Sequence, residues 1–187
     1  MRRVTRVASN SIMFIRHAEK PDKDHKGVTP DGDHDEHSLS VRGWTRAGAL
    51  AVVFARTSNG SDSYSGIAIP DRIIATAPSE SYKSKREHDT ALPTAHRLGL
   101  TIEATAIPDH YSALAANIQA TATPTLVVWH HGRIPEFIAS FPVANANEVP
   151  KAWPDDRFDL IWALTPEGDH YVWSEIPQAL LEGDETN

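Results

Sequence analysis

Two short apolar runs constrain this chain more than any other feature. Ser11-Ile12-Met13-Phe14-Ile15 leads into Arg16-His17, and Pro124-Thr125-Leu126-Val127-Val128-Trp129 leads into His130-His131-Gly132. An unbroken apolar run of this length, without polar alternation, predicts a strand covered on both faces. Strands of that kind belong to sheets with helices on either side, where ligands bind beyond the carboxyl ends of the strands. Two such strands would therefore deliver two histidines and an arginine to one crevice.

The remaining pattern supports an α/β chain. Arg72 to Thr76 predicts another buried strand and Thr101 to Ala104 a short one. Helices are predicted over Thr45 to Arg56, Ser84 to Leu98, His110 to Ala120 and Pro135 to Phe141. Gly99 closes the second of these at a C-cap position, and Pro93 should kink it or mark a restart. Asp159 to Leu164 and His170 to Ile176 alternate around Pro166-Glu167-Gly168-Asp169, the pattern of a hairpin. Pro21 to His37, Ser58 to Ser65 and Pro142 to Asp156 read as irregular. The expected architecture is a three-layer α/β sandwich with a mostly parallel central sheet, helices on both faces and an antiparallel edge hairpin near the C-terminus. At 187 residues, one domain spanning 1–187 is expected.

Composition removes several classes of function. There is no cysteine, so disulfide scaffolds, thiol catalysis and thiolate metal sites are excluded. A net charge of −7 argues against binding the phosphate backbone of nucleic acids. No apolar run approaches the ~18 residues of a membrane span. The only apolar stretch near the N-terminus, Ile12 to Ile15, is too short for a secretion signal. The expectation is a cytoplasmic protein with neither nucleic-acid nor membrane partners.

A crevice holding Arg16, His17 and His130 would be cationic and partly dry. It suits a phosphoryl group, because arginine binds phosphate oxygens bidentately and histidine can donate a proton or attack. Four segments in order then carry a resemblance. Phe14-Ile15-Arg16-His17-Ala18-Glu19 is similar to a strand followed by Arg-His-Gly, with alanine in the glycine position. Leu39-Ser40 through Gly43 to Arg46-Ala47 is the second segment. Arg86 through Thr90-Ala91 and Pro93 to Leu98-Gly99-Leu100 is the third, and Val127-Val128-Trp129-His130-His131-Gly132 the fourth. Together they resemble the histidine phosphatase superfamily, the phosphoglycerate-mutase-like fold. The resemblance covers Ile12 to about Ala139, about two thirds of the chain. The Arg-His-Ala-Glu-Lys-Pro start and the end of the chain look like certain bacterial members without a settled substrate.

The resemblance implies the roles. His17 would be the nucleophile, neutral, with one ring nitrogen free and the other N–H held by a backbone acceptor. Arg16, Arg86 and His130 would surround the phosphoryl oxygens. A general acid must protonate the leaving group. Asp109 occupies the place where many members carry a carboxylate, and Glu19 and Glu136 are its rivals. Glu19, Lys20 and His131 are further candidates for substrate contact. The segment Ala77 to Lys85 is several residues longer than the family's usual gap, so Lys83 or Lys85 could face phosphate instead of Arg86. Ala18 is compatible with the pattern only at negative φ. The loop Asp31 to His37 holds metal-ligand residue types, including His34 and His37, but reads better as a solvated acidic loop. If it overhangs the pocket, it disfavours polyanionic substrates.

The leading expectation is a metal-independent phosphomonoesterase, without cofactor, acting on a small phosphorylated metabolite or a phosphoprotein through a phosphohistidine. The alternatives are a phosphomutase of the same family, a non-catalytic phosphate- or phosphopeptide-binding domain, and a metal-dependent hydrolase built on His34, His37, His130 and His131. The oligomeric state is open.

Overall fold

The computed structural model describes residues 10–55, 67–107 and 110–185. In chain order these form β1 (Ile12–Arg16), β2 (Gly27–Val28), β3 (Leu39–Ser40), α1 (Val41–Phe54), β4 (Arg72–Thr76), α2 (Arg86–Leu98), β5 (Ile102–Thr105), α3 (Ser112–Thr121) and β6 (Thr125–Trp129). A 3-10 turn (His131–Arg133), α4 (Ile134–Ile138), β7 (Leu160–Glu167) and β8 (His170–Pro177) follow.

Every residue of β1 and β6 is buried, as their unbroken apolar character requires. The sheet order is β5-β4-β6-β1-β7-β8. The first four strands run parallel; β7 lies antiparallel on β1, and β8 closes the edge against β7. Side chains alternate across the sheet, so each strand feeds two cores. Ile12, Phe14, Val127 and Trp129 pack on one face with Ile118 of α3 and Phe137 of α4. Met13, Ile15, Leu126 and Val128 pack on the other with Leu50 and Phe54 of α1 and Ala91 and Ala95 of α2. This is the three-layer sandwich expected from the sequence. Among the described residues no helix is long and apolar enough to cross a membrane.

The structure moves several boundaries. Helix α1 starts at Val41 rather than Thr45, because Ser40 caps it, its Oγ accepting from Gly43 N–H at 3.1 Å. Helix α2 runs unbroken through Pro93, and Gly99 ends it in the left-handed conformation, φ 68°. Helix α4 ends at Ile138; the next residues continue as tight turns, with Phe141 N–H on Ile138 O. The stretch Pro21 to His37, expected to be irregular, contains β2, which pairs as a small ribbon with β3 just beyond it. Gly168 (φ 65°) and Asp169 form a two-residue turn between β7 and β8. The predicted loop Ser58 to Ser65 and the candidate acid Asp109 lie outside the described residues.

Candidate active site

Parallel pairing of β1 with β6 places Arg16 opposite Trp129, so the residues that follow emerge together at one carboxyl edge of the sheet. His17 is buried there, and its ring lies 6.2 Å from that of His131, which in turn stacks on His130 at 4.7 Å. Phe158 forms another wall, 5.9 Å from the His17 ring.

The hydrogen bonds fix the tautomers. His17 Nδ1 lies 2.7 Å from Ala18 O. A carbonyl only accepts, so Nδ1 carries the proton and Nε2 keeps its lone pair. Burial, reinforced by the charges of Arg16 and Arg86, pushes the imidazole pKa down to about 3, so it is neutral at pH 7 despite the opposing Ala18 bond. His130 Nδ1 accepts from Gly132 N–H at 3.2 Å, which leaves the proton on Nε2 as a donor. His131 Nδ1 lies 3.4 Å from Arg16 Nη2, and its Nε2 lies 3.4 Å from Asp155 Oδ1. Burial and the Arg16 charge lower His131 to about 4.

Arg16 is held from the far side. Its Nη1 faces the carbonyl oxygens of Pro154, Asp155 (2.7 Å) and Arg157, and its guanidinium lies over the Phe158 ring at 4.0 Å. Its buried Nε has no hydrogen-bond partner among the described residues. Burial lowers its pKa to about 10, still cationic at neutral pH. Arg86, half-buried at the start of α2, donates from Nε to Ser38 O and from Nη2 to Glu36 O. Thr90, one turn on, bonds back to Arg86 O and accepts from Ala18 N–H at 2.8 Å. The third sequence segment is thereby fastened to the loop carrying His17.

The second segment does the same from α1. Glu19 O accepts from Ser40 N–H and from Ser40 Oγ. A Cβ at Gly43 would collide with that same carbonyl, which explains the glycine at this position. Ala18 is not among the residues with positive φ, so alanine fits the backbone there.

The other candidates are spread out. The Glu19 carboxylate is bonded by Arg42 and by Arg46, whose fork also takes Asp184 (2.7 Å) and Gln178. These bonds tie the loop after His17 to α1 and to the C-terminal segment. Lys20 is exposed, Lys83 is exposed, and Lys85 pairs with Asp35 at 2.7 Å. Glu136 is exposed and pairs with Arg133. Among the described residues no group of three His, Asp or Glu side chains is arranged to hold a metal ion, the loop Asp31 to His37 included.

Residues that sequence reasoning did not single out line the site: Phe158, Tyr82 and Glu87. Glu87 is fully buried and accepts from the Tyr82 hydroxyl (2.5 Å) and from Ser84 Oγ (3.0 Å). The Ser84-to-Glu87 spacing is that of a capping box, a signal that could have marked it.

No family model and no curated protein sequence matches the chain. Solved structures do. A mycobacterial glucosyl-3-phosphoglycerate phosphatase matches at 15% identity and a TM-score of 0.52, over 90% of this chain and 98% of that one. A protein described as the phosphohistidine phosphatase SixA of Agrobacterium tumefaciens matches at 14% and 0.53, over 90% and 97%. The phosphoglycerate mutase of Bacillus anthracis matches at 12% and 0.50, over 91% and 94%. At such identities the likeness is one of fold. It is the fold expected from the sequence.

Proposed function

We propose that this chain hydrolyses phosphomonoesters through a phosphohistidine on His17. The observation that carries the reading is the His17 ring: neutral, its Nδ1–H spent on Ala18 O, its Nε2 lone pair available at the sheet's carboxyl edge. The Nε2 atom attacks phosphorus, and the bond from phosphorus to the ester oxygen breaks. The departing oxygen takes a proton from Asp109, the acid in this proposal. Water then attacks the phosphohistidine, returns a proton to Asp109, and releases inorganic phosphate with His17 restored.

Charge accumulating on the non-bridging oxygens meets Arg16, Arg86 and the Nε2–H of His130. The unpartnered, buried Nε of Arg16 supports this assignment, since a buried guanidinium donor needs an acceptor and a phosphoryl oxygen supplies one. His131, bonded to Arg16, borders the phosphate, and Lys20 at the exposed rim contacts the remainder of the substrate. Glu19 serves through its arginine pairs, holding the nucleophile loop. In this reading the 187 residues form one cytoplasmic catalytic unit acting on a small phosphorylated metabolite or a phosphoprotein.

Hydrolysis of p-nitrophenyl phosphate tests it. Activity should persist in EDTA, fall with vanadate, and vanish in His17→Ala. EDTA-sensitive turnover that survives His17→Ala would defeat it; phosphate-competitive binding without any turnover would favour a phosphate-binding domain.

A further inference from the structure

The mechanism leaves one fully buried carboxylate unused. Glu87 has no exposed surface and lies in the first turn of α2, next to Arg86. Burying a carboxylate is costly unless hydrogen bonds and nearby cations compensate. Its hydrogen bonds come from Tyr82 and Ser84. The cations its charge reaches are those of the pocket: Arg16 and, when protonated, His130.

Tyr82 connects the two halves of this arrangement. Its hydroxyl ends on Glu87, and its ring meets the His130 ring edge-on at 5.8 Å and 76°. Tyr82 sits in the Ala77-to-Lys85 stretch, the part of the chain that is longer than the resembling pattern. Arg16 of β1 and Arg133 of the 3-10 turn also act on His130 through their charges, and His131 stacks on its ring.

We propose that Glu87 is a positioning residue for His130, pinning Tyr82 as the wall that orients the ring and supplying a buried negative charge that acts on His130 and Arg16. Its catalytic consequence rests on the phosphatase reading; its physical effect on His130 does not. Burial, Arg133 and Arg16 depress the proton affinity of His130, and the Glu87 charge opposes them.

The test follows the His130 ring by NMR, with 13Cε1-labelled histidine and assignment from His130→Gln. Glu87→Gln keeps size and removes charge, so the His130 midpoint should fall relative to wild type. Tyr82→Phe keeps both ring and charge but frees the clamp, and should weaken vanadate binding about three- to tenfold. A His130 titration that coincides in wild type and folded Glu87→Gln overturns the proposal. So does unchanged vanadate affinity in Tyr82→Phe, which decides the matter even where Glu87→Gln fails to fold. Wild-type protein without hydrolytic activity would instead count against the phosphatase reading, since the titration is read without turnover.

Discussion

Replacing His17 by asparagine should change how stability depends on pH. The native ring is buried and neutral, with its pKa lowered from 6.5 to about 3 by burial and by the neighbouring arginines. As pH falls below 6.5, the unfolded chain binds a proton at this residue and the folded chain does not. Stability is therefore present above pH 6.5 and drains away between 6.5 and about 3. The slope approaches about 1.4 kcal/mol per pH unit, and the full span is about 5 kcal/mol as an upper bound. Asparagine keeps a side-chain N–H for Ala18 O but cannot take up a proton. Urea unfolding of both proteins at pH 7.5, 6.0, 5.0 and 4.5 isolates this contribution, because His131 and the carboxylates titrate alike in each. The stability difference should shift in favour of His17→Asn by about 2 to 3 kcal/mol between pH 6.5 and 4.5. Parallel loss of stability in the two proteins would refute a neutral buried His17.

Two further substitutions test the scaffold beneath the site. Gly43→Ala forces a methyl group onto Glu19 O and should cost about 1 to 3 kcal/mol of stability, with a comparable loss of activity as the His17 loop shifts; thermal melts and kcat measure both. The Asp184 side chain is almost fully enclosed, and although burial works against ionisation, the Arg46 and backbone bonds hold its pKa down to about 2. Its contribution is complete above about pH 4 and lost toward pH 2, so Asp184→Asn should cost about 2 to 4 kcal/mol in urea unfolding at pH 7 and much less near pH 2.

The sequence made the centre of the site legible and left its periphery obscure, for physical reasons. Unbroken apolar runs identify buried parallel strands, and parallel pairing makes their ends coincide, so the ends of β1 and β6 carry His17 and His130 to one edge of the sheet. Gly99 and the Gly168-Asp169 turn were equally readable, because positive φ selects residue type. Helix α1 begins four residues before Thr45, because Ser40 caps it while apolar spacing becomes visible only further along. The contacts of Arg16 had no signature at all: backbone carbonyls at 154, 155 and 157 look the same in any sequence. Glu19 was equally opaque, since its arginine partner is shared with Asp184, some 138 residues beyond Arg46.

Chemical trapping of the intermediate addresses the central claim most directly. The protein is mixed with a 32P-labelled phosphomonoester and quenched in alkali within a turnover. It should carry label that is stable to base, labile to acid, located on the peptide containing His17, and absent from His17→Ala. Turnover without any such label, or label that persists in His17→Ala, would contradict a phosphohistidine on His17.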